Sequence, residues 1–549
     1  MQQPPQRTPG SGICNVSDYL RINAEMHPEK PALLYPVRIT YREMEEMVSG
    51  YSFGFLKSGI KAGTRTLVMV EAGADFFELT FALIRIGAIP VMIDPGMGIK
   101  AMSTVLSGLE PEAFIGNFKA HLFRLLFPRI FNTVKVKIAT GSVSIGGSQR
   151  LKDMITINPD RYISHASSAN KTAAIFYTSG STGPAKGVIY TNCMLENQFE
   201  TTKAQFNIGN DEIDLCTFPL LGLFAICHGN SSVLADMDMV HPAKLDPAKV
   251  VKNITDFKCT QMFGSPMILD RLADYGIRKK ITLPSLRNII SAGAPVHRNI
   301  MESFSKLIHE DAEIHAPYGA TEALPVTDIT YSEILMISSE GCNYENGICI
   351  GKPVKPLEVR IIEITDEPLE SWDCARILPV NSVGEITVKG PWVSGGYFRN
   401  NSADRLSKIS DNISDETWHR MGDLGKIDVN GILWFYGRKS QRVITSGGTL
   451  FTIPCEAVFN RHPHVKRSAL VGVEKNSSGI KRAVICIQLK SGFHPDQRLL
   501  HELHELGCSN LITRGISDIL FKKKFPVDPR HNAKIFRERL ALWAAKRIR

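Results

Sequence analysis

The chain has 549 residues, 43% hydrophobic and 22% charged, with a net charge of +9. That balance excludes a disordered tail, a collagen-like repeat and a disulfide scaffold, and the length predicts two or more domains around sizeable cores. No run reaches the ~18 apolar residues of a spanning helix, and the opening "MQQPPQRTPGSG" has neither the charged nor the apolar region of a secretory signal, so a cytoplasmic protein is expected. Eleven cysteines, from Cys14 to Cys508, form no C-x-x-C pair and read as reduced thiols.

In chain order come the short apolar runs "TRTLVMV" (Thr64 to Val70), "GAIPVMID" (Gly87 to Asp94), "TAAIFYTSG" (Thr172 to Gly180), "CTQMFGSP" (Cys259 to Pro266) and "LRNIISAGAP" (Leu286 to Pro295), all but the first ending in Gly, Asp or Pro. Helical patterns such as "ADFFELTFALIRIG" lie among them, which predicts an α/β fold with largely parallel sheets. The segment from Ala113 to Lys152 has no Asp or Glu, and its "FKAHLFRLLFPRIF" suits a helix on lipid, a helix capping an apolar pocket, or a plain buried helix. After about Gly341, "GEITVKG", "GILWFYGR" and "KRAVICIQL" predict antiparallel sheet. A hinge is expected in "GRKSQRV", Gly437 to Val443. From Phe521 onward ten Lys or Arg face only Asp528 and Glu538, with Ile535, Leu540, Leu542 and Trp543 between them. Such an end suits an anionic ligand, a membrane surface or a solvated amphipathic helix; no reading motif supports nucleic acid.

"YTSGSTGPAKGV", Tyr177 to Val188, carries the clearest chemistry. Gly180 and Gly183 let backbone N–H groups approach a polyphosphate, while Thr178, Ser179, Ser181 and Thr182 supply hydroxyls, Thr178 being the candidate Mg²⁺ ligand among them. Lys186 adds a cation. The spacing is not that of a Walker A loop.

This stretch resembles the phosphate loop of the acyl-adenylate-forming superfamily of AMP-dependent synthetases and ligases, and further motifs follow in the family's order. "SAGAPV" (Ser291 to Val296) resembles its adenine-binding turn, assigning Gly293, Ala294 and Pro295 to the nucleotide. "YGATE" places Tyr318, Gly319, Ala320 and Thr321 beside ATP and Glu322 toward Mg²⁺. "GGYFRN" and "MGDLG" follow, with Asp423 in the position of the ribose-binding carboxylate, and Arg438 lies at the domain junction. "PVDPRHNAKIF" puts Lys534 at the mobile catalytic lysine. The resemblance implies a large adenylation domain, residues 1–436, with parallel sheets and a small antiparallel barrel. It also implies a small mobile α+β lid, residues 437–549, carrying Lys534. ATP and Mg²⁺ are the implied cofactors.

Three departures narrow the resemblance. Leu221 and Gly222 stand where acyl-CoA synthetases carry an aromatic-histidine pair, Ser440 replaces the usual hinge acid, and Ala533 replaces a glycine. With "IDPGMGIK", "FPLLGLF", "DMDMVHPAKLDP" and "PVDPRHNAKIFRERLALWA", they resemble the olefin β-lactone synthetases of bacterial long-chain olefin biosynthesis. The implied reaction, in fatty acid and lipid metabolism, activates a 2-alkyl-3-hydroxy acid as its adenylate and closes it to a β-lactone. A pathway-enzyme complex or a peripheral membrane contact is left open. A long-chain acyl-CoA or acyl-carrier ligase and a non-catalytic lipid- or partner-binding relative are the alternatives. His228 and His315 are candidates for the proton acceptor, each with a structural role as its plainer reading.

Overall fold

The computed structural model describes residues 15–155, 168–178, 185–339, 346–414, 416–474, 479–527 and 535–548. Two seven-stranded sheets dominate the first part of the chain. In one, Arg65–Met69 and Ile89–Ile93 lie at the centre beside Thr172–Thr178, all parallel; Lys186–Thr191 closes the edge antiparallel. In the other, Ile213–Cys216, Gln261–Phe263, Asn288–Ile290 and Glu313–His315 are parallel neighbours. Every apolar run named from the sequence forms one of these strands or runs into one. Their residues are buried on both faces, the condition under which a strand reads as a continuous apolar run.

"ADFFELTFALIRIG" forms the helix Ala74–Arg85, buried at every position from Phe76 to Arg85. The buried set that contains it includes Leu33 and Cys216 from one sheet and Ala113 and Ala174 from the other, so one core serves both. The polar end of this helix is satisfied internally: Arg85 donates to both carboxylate oxygens of Glu45, at 2.6 and 2.7 Å.

The expected shift to antiparallel pairing is borne out. Ile348–Cys349, Leu433–Arg438, Thr417–Ile427, Gly384–Lys389 and Glu358–Ile362 form one antiparallel sheet, in that order, with Lys408–Ser410 paired to its long strand. At its centre Arg420 and Glu385 are both buried; Arg420 donates to Glu385 Oε2 from Nε (3.0 Å) and Nη2 (2.6 Å), and to the carbonyls of Glu367 and Leu406. From Val443 onward the strands belong to other sheets: a short hairpin, and a three-stranded sheet of Val465–Glu474, Lys481–Leu489 and Asp518–Phe521. Helices Thr452–Asn460, Gln497–Cys508 and Arg537–Ala545 complete this α+β end.

The basic end is partly spent on structure. Arg537 pairs with buried Glu456 at 2.6 and 2.8 Å, and Lys522 and Arg547 lie 4.3 and 4.4 Å from the Trp543 ring centre. No described helix is long and apolar enough to cross a membrane, and the described residues hold no cluster of metal-binding side chains.

Replacing Arg420 by Met strands the Glu385 carboxylate with Lys439 as its remaining cation. The expected loss is about 3–5 kcal/mol, the cost of breaking a buried pair from one side, read as a lower denaturant midpoint for the sheet that contains both residues.

Candidate active site

The antiparallel pairing of Thr172–Thr178 with Lys186–Thr191 sets Thr178 opposite Lys186. Residues 179–184, with Ser179, Gly180, Ser181, Thr182 and Gly183 among them, lie outside the described set, as does Lys534. The pairing nevertheless fixes where the phosphate loop leaves and rejoins the sheet.

A second segment, Ser394 to Phe398, runs along the open edge of Lys186–Thr191. Phe398 N–H donates to the Gly187 carbonyl at 2.8 Å and Ile189 N–H to that of Gly396 at 3.3 Å, with Val188 bridged to Tyr397. The same segment holds the acidic motif: Ser394 N–H donates to the Glu322 carbonyl at 2.8 Å, and the Tyr397 hydroxyl donates to Glu322 Oε1 at 2.6 Å. Tyr190, from the strand after the loop, donates to the Thr321 carbonyl at 2.6 Å. Two motifs that are some 140 positions apart in sequence therefore meet through one edge.

Two lysines flank the Tyr397 ring, Lys186 at 4.7 Å and Lys408 at 5.4 Å from its centre, and Lys408 also donates to the Ser394 carbonyl. Burial pushes the Lys408 ammonium down to about 8, with Glu322 and Asp404 opposing the shift and Lys186 adding to it. Burial and the Glu322 charge raise the Tyr397 hydroxyl far above its ordinary range, so it remains a donor. Burial keeps His419 neutral, with Lys408 and Lys186 adding to the effect. The result is a pocket edge of two cations around one carboxylate. One Glu322 oxygen is held by Tyr397, and a carboxylate so anchored suits Mg²⁺, which takes one or two carboxylates beside phosphate oxygens.

Asp423 and Arg438 face each other across adjacent strands. Asp423 is 2% exposed and accepts from the Tyr318 hydroxyl at 2.6 Å through Oδ2. Arg438 Nη1 comes within 3.1 Å of Oδ1, yet without hydrogen-bond alignment, and Oδ1 has no hydrogen-bond partner among the described residues. Burial raises the Asp423 carboxyl, opposed by Arg438 and the Tyr318 hydrogen bond. A buried acceptor left open in this way matches the vicinal hydroxyls of a ribose. Glu322 acts electrostatically on both Asp423 and Arg438, so the two acidic motifs share one field.

The adenine-type turn leaves the strand Asn288–Ile290. Ser291 N–H donates to the His315 carbonyl at 2.9 Å, while the buried Ser291 Oγ has no partner among the described residues. Beyond it Gly293 and Pro295 are exposed and Ala294 is half-buried. Tyr318, Gly319 and Ala320 form a strand paired with Ala323–Asp328, and Thr321 with Glu322 makes the turn between them. A Cβ on Gly319 would lie 2.6 Å from the Ala323 carbonyl oxygen, so this tight turn requires glycine.

On the acyl side, Leu221 and Gly222 lie in the helix Pro219–Cys227. A Cβ on Gly222 would sit 2.8 Å from the Phe77 ring and 2.9 Å from Cys216 Sγ, so no imidazole fits there. Each histidine candidate has one ring nitrogen held by structure. His315 Nδ1 is tied to Asp328 Oδ2 at 2.7 Å, and His228 Nε2 to the Phe199 carbonyl at 2.9 Å. Burial lowers His228 to about 4, too acidic for a proton acceptor near neutral pH.

Tyr397 and Lys408 are the functional residues that motif reading did not single out. The "GGYFRN" motif contains the first; the second sits in an unremarkable "SKIS" and is visible only through its pairing. Asp423→Asn is expected to weaken AMP binding about ten- to a hundredfold, the worth of a charged hydrogen bond, with an unchanged melting curve, as read by calorimetric titration. Tyr397→Phe is expected to lower pyrophosphate exchange into ATP by about tenfold or more and to raise the Mg²⁺ concentration needed for half-maximal rate.

A family model described as AMP-binding enzyme matches residues 20–398. An olefin beta-lactone synthetase of Xanthomonas campestris pv. campestris is 38% identical over 97% of this chain and 98% of that protein. One of Stenotrophomonas maltophilia is 37% identical over 97% of this chain and 99% of its own. Among solved structures, the amide bond synthetase McbA of Marinactinospora thermotolerans superposes with a TM-score of 0.79 at 20% identity, covering 96% of this chain and 99% of its own. ATP-bound MatB of Rhodopseudomonas palustris gives 0.77 at 19%, covering 97% and 100%. The last two share the fold. With the paired loop strands, the anchored Glu322 and the open Asp423 acceptor in place, the chain belongs to the AMP-binding enzyme family and is an ATP-using, AMP-forming ligase.

Proposed function

We propose that the protein converts a 2-alkyl-3-hydroxy fatty acid and ATP to a β-lactone, AMP and pyrophosphate. The observation that carries this reading is the 37–38% identity to the olefin beta-lactone synthetases across 97% of the chain. Gly222, sealed by Phe77 where a histidine would stand in an acyl-CoA ligase, supports it.

In the first step a carboxylate oxygen of the acid attacks the α-phosphorus and pyrophosphate leaves. The loop from Thr178 to Lys186 holds the phosphates, Asp423 and Tyr318 hold the ribose side, and Gly293 to Pro295 border the base. Mg²⁺, held by Glu322 with Thr178, supplies charge neutralisation at the phosphates. Lys534, on a mobile lid of residues 437–549 that closes over residues 1–436, stabilises the charge that builds on the bridging oxygen. In the second step the 3-hydroxyl oxygen attacks the acyl carbon, AMP leaves and the hydroxyl proton passes to the medium. The nucleophile is tethered, and an effective molarity of about 10⁵ M or more offsets part of the ring strain. The greasy acid also favours a cytoplasmic protein with a peripheral membrane or pathway-enzyme contact.

Mass spectrometry of products from the purified chain, Mg-ATP and a synthetic 2-alkyl-3-hydroxy acid tests the reading. Loss of one water from the acid with release of AMP, independent of coenzyme A, is expected; a thioester formed only with coenzyme A would replace it by an ordinary ligase. Lys534→Ala is expected to slow adenylation by about 10² or more with ATP affinity retained, as for loss of one preorganised electrostatic contact.

A further inference from the structure

The helix Phe118–Leu126 packs Ala120 and Phe123 on the core and still turns large apolar side chains outward. At 3.6 residues per turn, Phe118, Leu122, Leu125 and Leu126 share one side, and they are 56%, 46%, 44% and 67% exposed. The opposite side buries Ala120, His121 and Arg124. Those inward polar groups are satisfied: His121 Nε2 lies 2.9 Å from the Ile138 carbonyl, and Arg124 donates to His121 Nδ1 at 3.3 Å and to the Gly146 carbonyl at 2.9 Å. A surface helix ordinarily turns its apolar stripe to the core, so four large apolar side chains grouped outward call for an occupant.

The surroundings say which one. Arg124 holds the loop at Ile145 and Gly146 beside the helix, and Val143 of that loop is 63% exposed. Lys119, Arg129 and Lys135 are exposed around the apolar side chains, and no Asp or Glu occurs from Ala113 to Lys152. Of the neighbouring acids, Glu112 pairs with Arg65, Asp153 with Arg150, and Glu71 accepts from Asn117 at the start of the helix. Apolar side chains ringed by cations match the acyl boundary and headgroups of an anionic leaflet. A protein partner of that shape would have to bring its own ring of acids.

We propose that this helix, with the Val143 loop, docks the protein on an anionic lipid surface, reversibly and as a peripheral contact. The inference stands on the helix and its charges, so it holds or fails apart from the identity of the acid.

The test is co-sedimentation of the full chain with vesicles of phosphatidylglycerol and phosphatidylcholine, against phosphatidylcholine alone, at low and at high salt. Binding to the anionic vesicles is expected to weaken with salt and to fall at least tenfold in the Leu122→Glu/Leu125→Glu variant. Leu542→Glu, an exposed control on the basic C-terminal helix, is expected to leave it unchanged. Adenylation of a short soluble acid is expected to be equal in all three proteins, which shows that the variants fold. No binding to anionic vesicles, equal binding to both lipids, or binding unaffected by the double substitution would overturn the proposal. Concentration-dependent self-association abolished by the same substitution would also overturn it, making the face a contact between copies.

Discussion

The hydrogen bond from the Tyr397 hydroxyl to Glu322 organises the site, because it is where three separate stretches of chain become one surface. Its donor sits on a segment zipped to the strand after the phosphate loop, and its acceptor ends the turn after Tyr318. With Asp404, which accepts from the Tyr397 N–H at 2.8 Å, the anchored Glu322 supplies the counter-charge to Lys408. The burial that keeps Tyr397 protonated thus preserves the geometry near neutral pH.

The two large sheets contribute differently. One ends in the strands Thr172–Thr178 and Lys186–Thr191, and contributes Lys186 to the candidate site. The other ends at Ser291 and His315, and contributes a turn and a buried hydroxyl. The antiparallel sheet adds Asp423, a buried carboxylate with Tyr318 on one oxygen and the Arg438 guanidinium beside the other. The candidate groups therefore come from three sheets, two of which share one core.

Much of this was legible in the sequence. A run of Gly, Ser and Thr after an apolar strand cannot fill a core, which set it apart at once, whereas Asp423 and Glu322 stood out only through the motifs around them. Lys408 could not be read, because its importance comes from an edge pairing between Val188 and Tyr397 that no local pattern encodes. His228 and His315 attracted notice by proximity to motifs, and in each one ring nitrogen is taken up by structure, His228 Nε2 by the Phe199 carbonyl and His315 Nδ1 by Asp328. The helix at Phe118 shows a related limit: periodicity reveals two faces and is silent on which one faces water.

The junction after Leu433–Arg438 carries three cations in quick succession, and each is bound to an acid of the preceding body: Arg438 near Asp423, Lys439 with Glu385, and Arg442 with Asp366. Lys439 and Arg442 lie beyond that strand, so their pairs tie the start of the C-terminal α+β end to the body before it. They are not equivalent, since Glu385 is fully buried while the Asp366 side chain is 66% exposed. Dissolved salt screens the outer pair and scarcely reaches the inner one. The start of the C-terminal end is therefore held by two clasps that answer differently to ionic strength: the outer one loosens as salt rises, and the inner one stays shut.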